Sequence, residues 1–351
     1  MIVLANHGIH VTDLLSNFWV VLGLKVLIVA LVVPAIALGF IFAELKISAH
    51  MQSRIGPYFA GGRWGWAQPL ADGVKFLQKE DLIPRDADRP VFKTAPAMML
   101  MSAFAVLVII PFGPRVIIRD LDVGIFYAIA VSSFATIAVL MAGWSSANKY
   151  SLIGGLRAGA QLIAYELPLI LAVVGVVIHA GTMSMGGIVA AQSEPVFYIS
   201  GVGIALPYIL QGHVIGFGIF MVAALAELNR TPFDLPFAEQ ELVMGYLTEY
   251  SGLRFTMFFL AEYVGMFSMS AIASTLFLGG YYVPGVPAAM LDYVGPLVLL
   301  GKATLLVFVM IWLRWTFPRM RQDQLQVLAW KWLVPLGLVN ILVIATFKVV
   351  F

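Results

Sequence analysis

Between Glu227 and Glu249 the chain sets five carboxylates, Glu227, Asp234, Glu239, Glu241 and Glu249, around a single base, Arg230. They come from only 19 acidic residues in a chain that is 61% hydrophobic and 11% charged. Crowded carboxylates repel one another, and the repulsion is relieved when one takes a proton. A solvated acidic loop has the same charge pattern, but the interleaved Leu, Pro, Phe, Val and Met argue for a loop folded back into protein. Two further acids lie inside apolar runs: Glu166 in LIAYELPLIL and Glu262 in FFLAEYVGM, each beside a tyrosine, Tyr165 and Tyr263. A carboxylate at mid-membrane costs about 2.5–3.5 kcal/mol on insertion scales and is functional by default. The plainer alternative is a Glu that pairs with a base or a carbonyl to pin two helices. Carboxylates poised between charged and neutral are what a proton relay needs.

The elements that must hold these groups are helices in lipid. Mean hydropathy is +0.94, and apolar runs of 18 or more residues recur, enough to cross a core of about 30 Å. No period-2 alternation of the barrel kind appears. The fold class is therefore all-α, a polytopic integral membrane protein in one transmembrane domain. Eight spans are predicted, near 18–44, 92–112, 123–143, 157–180, 203–226, 255–279, 296–317 and 330–350. The loops 45–91, 144–156, 227–254 and 318–329, with the span ends beside them, carry 16 of the 21 bases. By the positive-inside rule those loops are cytoplasmic and both termini face outward. The absence of cysteine excludes thiolate-bound zinc, iron–sulfur ligation and disulfides within this chain. The first residues, MIVLANHGIHVTDLL, have no basic stretch or small-residue cleavage site, so no removable signal peptide is expected. No internal repeat is visible, which disfavours a generic carrier.

The first loop is long, and loops of that length are usually functional. Trp66, Leu70, Val74 and Leu77 fall on one helical face and Asp72, Lys75 and Lys79 on the other, predicting an amphipathic helix in the membrane interface. Before it, QSRIGP sets Gln52 and Arg54 against a Gly-Pro turn; after it, KEDLIP closes the segment with Pro84. Such a loop could floor a chamber for a ligand with a polar head and a greasy tail. Of five histidines, His179 and His213 lie near the outer ends of spans 4 and 5, but one pair without supporting context is a weak case for a haem clasp. His7, His10 and His50 show no ligand spacing.

Taken together, these residues resemble the family of H subunits of bacterial NADH–quinone oxidoreductase, respiratory complex I, and their mitochondrial counterparts. The resemblance is carried by Glu44-Leu-Lys46, Gln52-Ser-Arg54-Ile-Gly56-Pro57, Lys79-Glu-Asp-Leu-Ile-Pro84, Gly143-Trp-Ser-Ser-Ala-Asn-Lys-Tyr150, Gly154-Gly-Leu-Arg157 and the acidic stretch through Gly252. It implies a quinone as substrate, with Lys46, Gln52, Arg54, Asp72, Lys75 and Arg230 at the quinone tunnel. It further implies a proton path through Glu166, Glu227, Asp234, Glu239, Glu241, Glu249, Glu262 and Tyr263, with Arg230 as countercharge. The implied partners are iron–sulfur and quinone-site subunits on the cytoplasmic side, small and antiporter-like membrane subunits, and the bilayer of a bacterial plasma membrane. No catalytic redox group, metal, NADH site or nucleic-acid site is expected in this chain. Three positions depart from the family pattern: Leu45 replaces a charged residue, Phe237 a Glu, and Ser133 a Glu of some members. Two rivals stand beside this reading. A membrane subunit of an energy-converting hydrogenase or formate hydrogenlyase is disfavoured by the intact set Gln52, Arg54, Asp72 and Lys75. An independent cation/proton antiporter leaves the elaborate cytoplasmic loops unexplained.

Overall fold

The computed structural model of the chain describes residues 18–199, 202–237, 239–286 and 288–350. His7 and His10 lie outside them. Within the described residues the chain is almost wholly helical: α1 (Phe18–Met51), α2 (Gln68–Gln78), α3 (Arg89–Val106), α4 (Gly124–Ser132), α5 (Phe134–Ser145), α6 (Lys149–Ala180), α7 (Met185–Ser193), α8 (Val214–Glu227), α9 (Glu239–Leu242), α10 (Gly252–Phe277), α11 (Ala288–Thr316), α12 (Gln322–Val327) and α13 (Val334–Val350). One antiparallel hairpin, β1 (Pro195–Ile199) with β2 (Val202–Ala205), precedes α8. Among the described residues, seven segments are long and apolar enough to cross a membrane, with α4–α5 and α12–α13 each acting as one span.

The fifth predicted span is the exception. Hydropathy predicts one helix over 203–226, but β2 runs to Ala205, a 3-10 turn occupies Tyr208–Gln211, and Gly212 sits at φ 98° before α8 begins. A short apolar run rich in Val, Ile and Gly has no periodicity that separates strand from helix, and Pro207 and Gly212 break it. The resulting α8 has 14 residues, about 21 Å.

The spans pack around α6, a 32-residue helix that begins at Asn148, whose side chain accepts from the Tyr150 N–H, and ends at Gly181 in the left-handed conformation. Small residues let backbones close on it. A Cβ on Gly143 of α5 would come within 2.9 Å of Gly155 Cα, and one on Gly154 within 2.6 Å of Gly245 Cα. The main core lies between α1, α6, α8, α10 and α11, with Tyr165, Phe220, Phe267 and Phe277 fully buried. Tyr165 donates to the Leu325 carbonyl at 3.0 Å, so it anchors α12 and leaves Glu166 to other partners. As the periodicity predicts, α2 is amphipathic, and Leu70, Val74 and Leu77 are left exposed along it. Its inner side rests on α10 through Phe76 and Phe255, whose ring centroids are 5.6 Å apart.

Candidate functional site

Arg230 is the hub. It is only 3% exposed, in the turn that follows α8. The turn is shaped by Asn229 at φ 51° and a cis Thr231–Pro232 bond. From α6, the buried Gln161 holds it: Nε2 lies 2.7 Å from Ala226 O, 2.8 Å from Phe233 O and 3.1 Å from Asn229 Oδ1. Arg230 Nη1 then donates to both oxygens of Glu44 on α1, at 3.1 and 2.9 Å. Its Nε stands 2.7 Å from Glu262 Oε1 on α10, out of line for a hydrogen bond. The Tyr263 hydroxyl donates to Glu44 Oε2 at 2.9 Å, and the guanidinium lies 4.6 Å over the Tyr263 ring. Arg314 of α11 also donates to Glu44. Two guanidiniums thus face two carboxylates where α1, α8, α10 and α11 meet, and Arg230 Nη2 is left without a hydrogen bond.

Two cavities meet at this cluster. The wider, about 340 Å³, is walled by Arg230, Asp234, Glu262, Arg314 and Arg319 together with Phe237, Phe255, Phe259 and Trp315. Its wall combines charged groups with aromatic rings, the lining that an amphipathic ligand with a polar head requires. The narrower, about 60 Å³, is largely apolar and is walled by Glu227, Glu262, Tyr246, Ser132, Phe258 and Met269 among others. Glu262 belongs to both walls.

Asp234 is half-buried, with Arg319 Nη2 at 3.9 Å. Burial pushes its carboxyl up to about 6, against the pull of Arg319 and Arg314. Glu227 closes α8, facing Ser132 and lying in the field of Glu166. Glu166 in turn accepts from the Ser133 hydroxyl. Ser133, the position that departs from an acid, sits at the junction of α4 and α5.

Of the other predicted residues, those with described side chains are not in these walls. Glu241 is 57% exposed and pairs with Arg157 at 2.7 Å, which holds its carboxyl below the usual range. Glu249 accepts from Asn148 Nδ2 at 2.5 Å. The side chain of Glu239 lies outside the described residues. The sequence pattern sets Glu241 and Glu249 on one flank of a short helix, yet α9 ends at Leu242 and a separate 3-10 turn follows at Gly245–Leu247. On the first loop, Lys46 donates to the Pro57 carbonyl, Arg54 Nε donates to Gln52 Oε1 at 2.6 Å, and Lys75 pairs with Asp72 at 3.2 Å. His213 Nε2 and His179 Nδ1 are 3.2 Å apart, each serving as the other's partner.

Sequence reasoning does not single out Glu44, Gln161 or Arg314 as site residues. In the sequence Glu44 is the end of span 1, and Arg314 is one base of the positive-inside tally. The available signal is arithmetic. A buried Arg230 needs compensating carboxylates, and Glu44 is the sole acid on α1.

The chain matches the family model described as NADH dehydrogenase over residues 24–345. It is similar to proteins named as the H subunit of NADH-quinone oxidoreductase from Bacillus cytotoxicus and Bacillus mycoides, each 48% identical over 337 residues and 96% of both chains. The protein of that name from Bacillus cereus is 47% identical over the same share.

Proposed function

The chain belongs to the NADH dehydrogenase family, and from that premise we propose that it is the membrane-embedded H subunit of a proton-translocating NADH–quinone oxidoreductase. In this reading the wider cavity borders the passage for quinone, and the acids behind it respond when quinone is reduced. The observation that carries the reading is the position of Glu262, a shared wall between a mixed polar and aromatic cavity and a narrow, largely apolar chamber that Glu227 also lines. Reducing a quinone to a quinol takes up two electrons and two protons, and negative charge stands near the ring until the protons arrive. Carboxylates within a few ångströms, in a medium of low dielectric, feel that charge strongly. A shift of protons among them is the form such a response takes.

Arg230, Asp234, Glu262 and Tyr263 form the side facing the quinone in this proposal, and Glu227 and Glu166 the next members inward. Glu241 and Glu249 lie toward the loop surface, where Arg157 and Asn148 engage them, and Glu239 belongs to the same acidic stretch in this proposal. Lys46, Gln52, Arg54, Asp72 and Lys75 frame the outer approach along α1 and α2. The electron carriers belong to partner subunits, since this chain has no cysteine. The site of action is a bacterial plasma membrane, with the base-rich loops cytoplasmic and the termini outward.

Replacing Glu262→Gln in the intact complex tests this. Quinone reduction and proton translocation in membranes are expected to fall on the order of a hundredfold, while NADH oxidation by an artificial acceptor of the soluble arm persists. Normal coupled turnover in that enzyme would falsify the role of Glu262.

A further inference from the structure

We propose that Ser132 and Ser133, at the junction of α4 and α5, form a hydroxyl switch that ties the proton on Glu166 to the proton on Glu227 through one shared acceptor, the carbonyl of Ile129. The proposal rests on the acid path above and supplies the groups that join two of its members.

The Ile129 oxygen has three donors within reach: the Ser133 N–H at 3.2 Å, the Ser132 hydroxyl at 3.0 Å and the Ser133 hydroxyl at 3.0 Å. A carbonyl oxygen has two lone pairs. The backbone N–H is fixed by the end of α4, so one lone pair serves two hydroxyls. Each hydroxyl also stands beside a different acid. Ser133 Oγ is bonded to Glu166 Oε1, and Ser132 stands by the Glu227 carboxyl on the cavity wall.

A hydroxyl carries one hydrogen and two acceptor sites, so it can donate to a carboxylate or accept from a carboxylic acid. When Glu166 is protonated, its O–H donates to Ser133 Oγ, and the Ser133 hydrogen turns to Ile129 O. Ser132 is then displaced and turns to Glu227, which it serves while that group is ionised. Moving the proton to Glu227 reverses each step, with no bond formed or broken beyond the proton's own. With two protons present, one serine hydrogen has no acceptor; with none, two like charges face each other. A single proton shared by the two acids is the fully bonded state. Among the described residues, the other titratable groups on the wall beside Glu227 are Glu262 of α10 and Tyr246 of the loop, and Arg230, three residues on, is turned to Glu44.

The test uses the intact complex in membranes and reads the pH–rate profile of quinone reduction. Ser133→Ala and Ser132→Ala are each expected to displace its midpoint by about one pH unit, Ser133→Thr to restore it, and the double alanine variant to add nothing further, as expected of a unit. An unmoved profile in the assembled alanine variants, or displacements that simply add, overturns the switch. Where an alanine variant does not assemble, Ser133→Cys keeps the volume with a much weaker donor, and a wild-type profile there overturns it equally. Glu166→Gln separates the two levels. Normal pumping in that enzyme removes the acid path itself, whereas an inactive Glu166→Gln beside serine variants of wild-type profile removes the switch alone.

Discussion

The molecule holds two groups of carboxylates among its helices, and it compensates them in different ways. Glu44 and Glu262 are matched by Arg230 and Arg314, guanidiniums that keep their charge under all ordinary conditions. Glu166 and Glu227 are met by serine hydroxyls, which serve a carboxylate and a carboxylic acid equally well. Protonating a member of the first group leaves a buried cation short of a partner. Protonating a member of the second only turns a hydroxyl. The first arrangement is suited to holding helices and a ligand's charge in place, the second to passing a proton, and Glu262 stands where they touch.

The largest expected effect comes from breaking the first group. Arg230→Met strands Glu262, leaves Glu44 with Arg314 as its one remaining guanidinium, and should destabilise the fold by about 3–5 kcal/mol, seen as loss of assembled complex from membranes or a large drop in its thermal midpoint. An Arg230→Met complex of ordinary stability would mean that the two groups do not differ as described. A direct contrast sharpens the point. Glu44→Gln should destabilise strongly because two guanidiniums lose their anion, whereas Glu227→Gln should change stability by less than about 1 kcal/mol and still abolish proton translocation. Equal thermal shifts for the two variants would erase the distinction.

The smallest effects lie in the loop between the groups, and they have opposite signs. The Asp234 carboxyl is raised from 3.8 to about 6 in the folded chain, so the folded state holds more protons there than the unfolded chain. Its contribution to stability is fully present below pH 3.8 and is lost as pH rises through about 6. Glu241, drawn down by Arg157, contributes above its unfolded value and loses that contribution as pH falls; its exposure and salt screening keep the effect slight. Proteolysis of the 231–249 loop across this range should therefore respond to Asp234→Asn by keeping its acid-end protection and no longer losing it as pH rises through about 6. Glu241→Gln should leave that end almost unchanged. Identical pH dependence in both variants would contradict the assignment.

Much of this arrangement is legible in the sequence. Charge is so rare inside the apolar runs that Glu166 and Glu262 identify themselves, and Arg230 stands out as the lone base among acids. The amphipathic pattern from Trp66 to Lys79 locates α2 because a period of 3.6 is a strong signal over three turns. Partnership across the fold is what the sequence hides. Glu44 and Arg314 lie 270 residues apart and meet only because α1 and α11 are neighbours. Local density groups Glu241 with the buried acids, yet its surroundings are decided by Arg157 on α6, 84 residues away. Hydropathy overextends span 5 because it reports burial in lipid or protein without saying whether the backbone coils or extends.

The contact between Gly154 and Gly245 has a consequence for water. The turn that places Tyr246 on the narrow chamber is seated on α6 with hydrogen atoms alone between the two backbones. One added carbon at Gly154 would lever that turn outward and admit solvent beside Glu227. Under the proposed function, protons would then leak past Glu227 without a quinone being reduced, although the altered residue lines neither cavity.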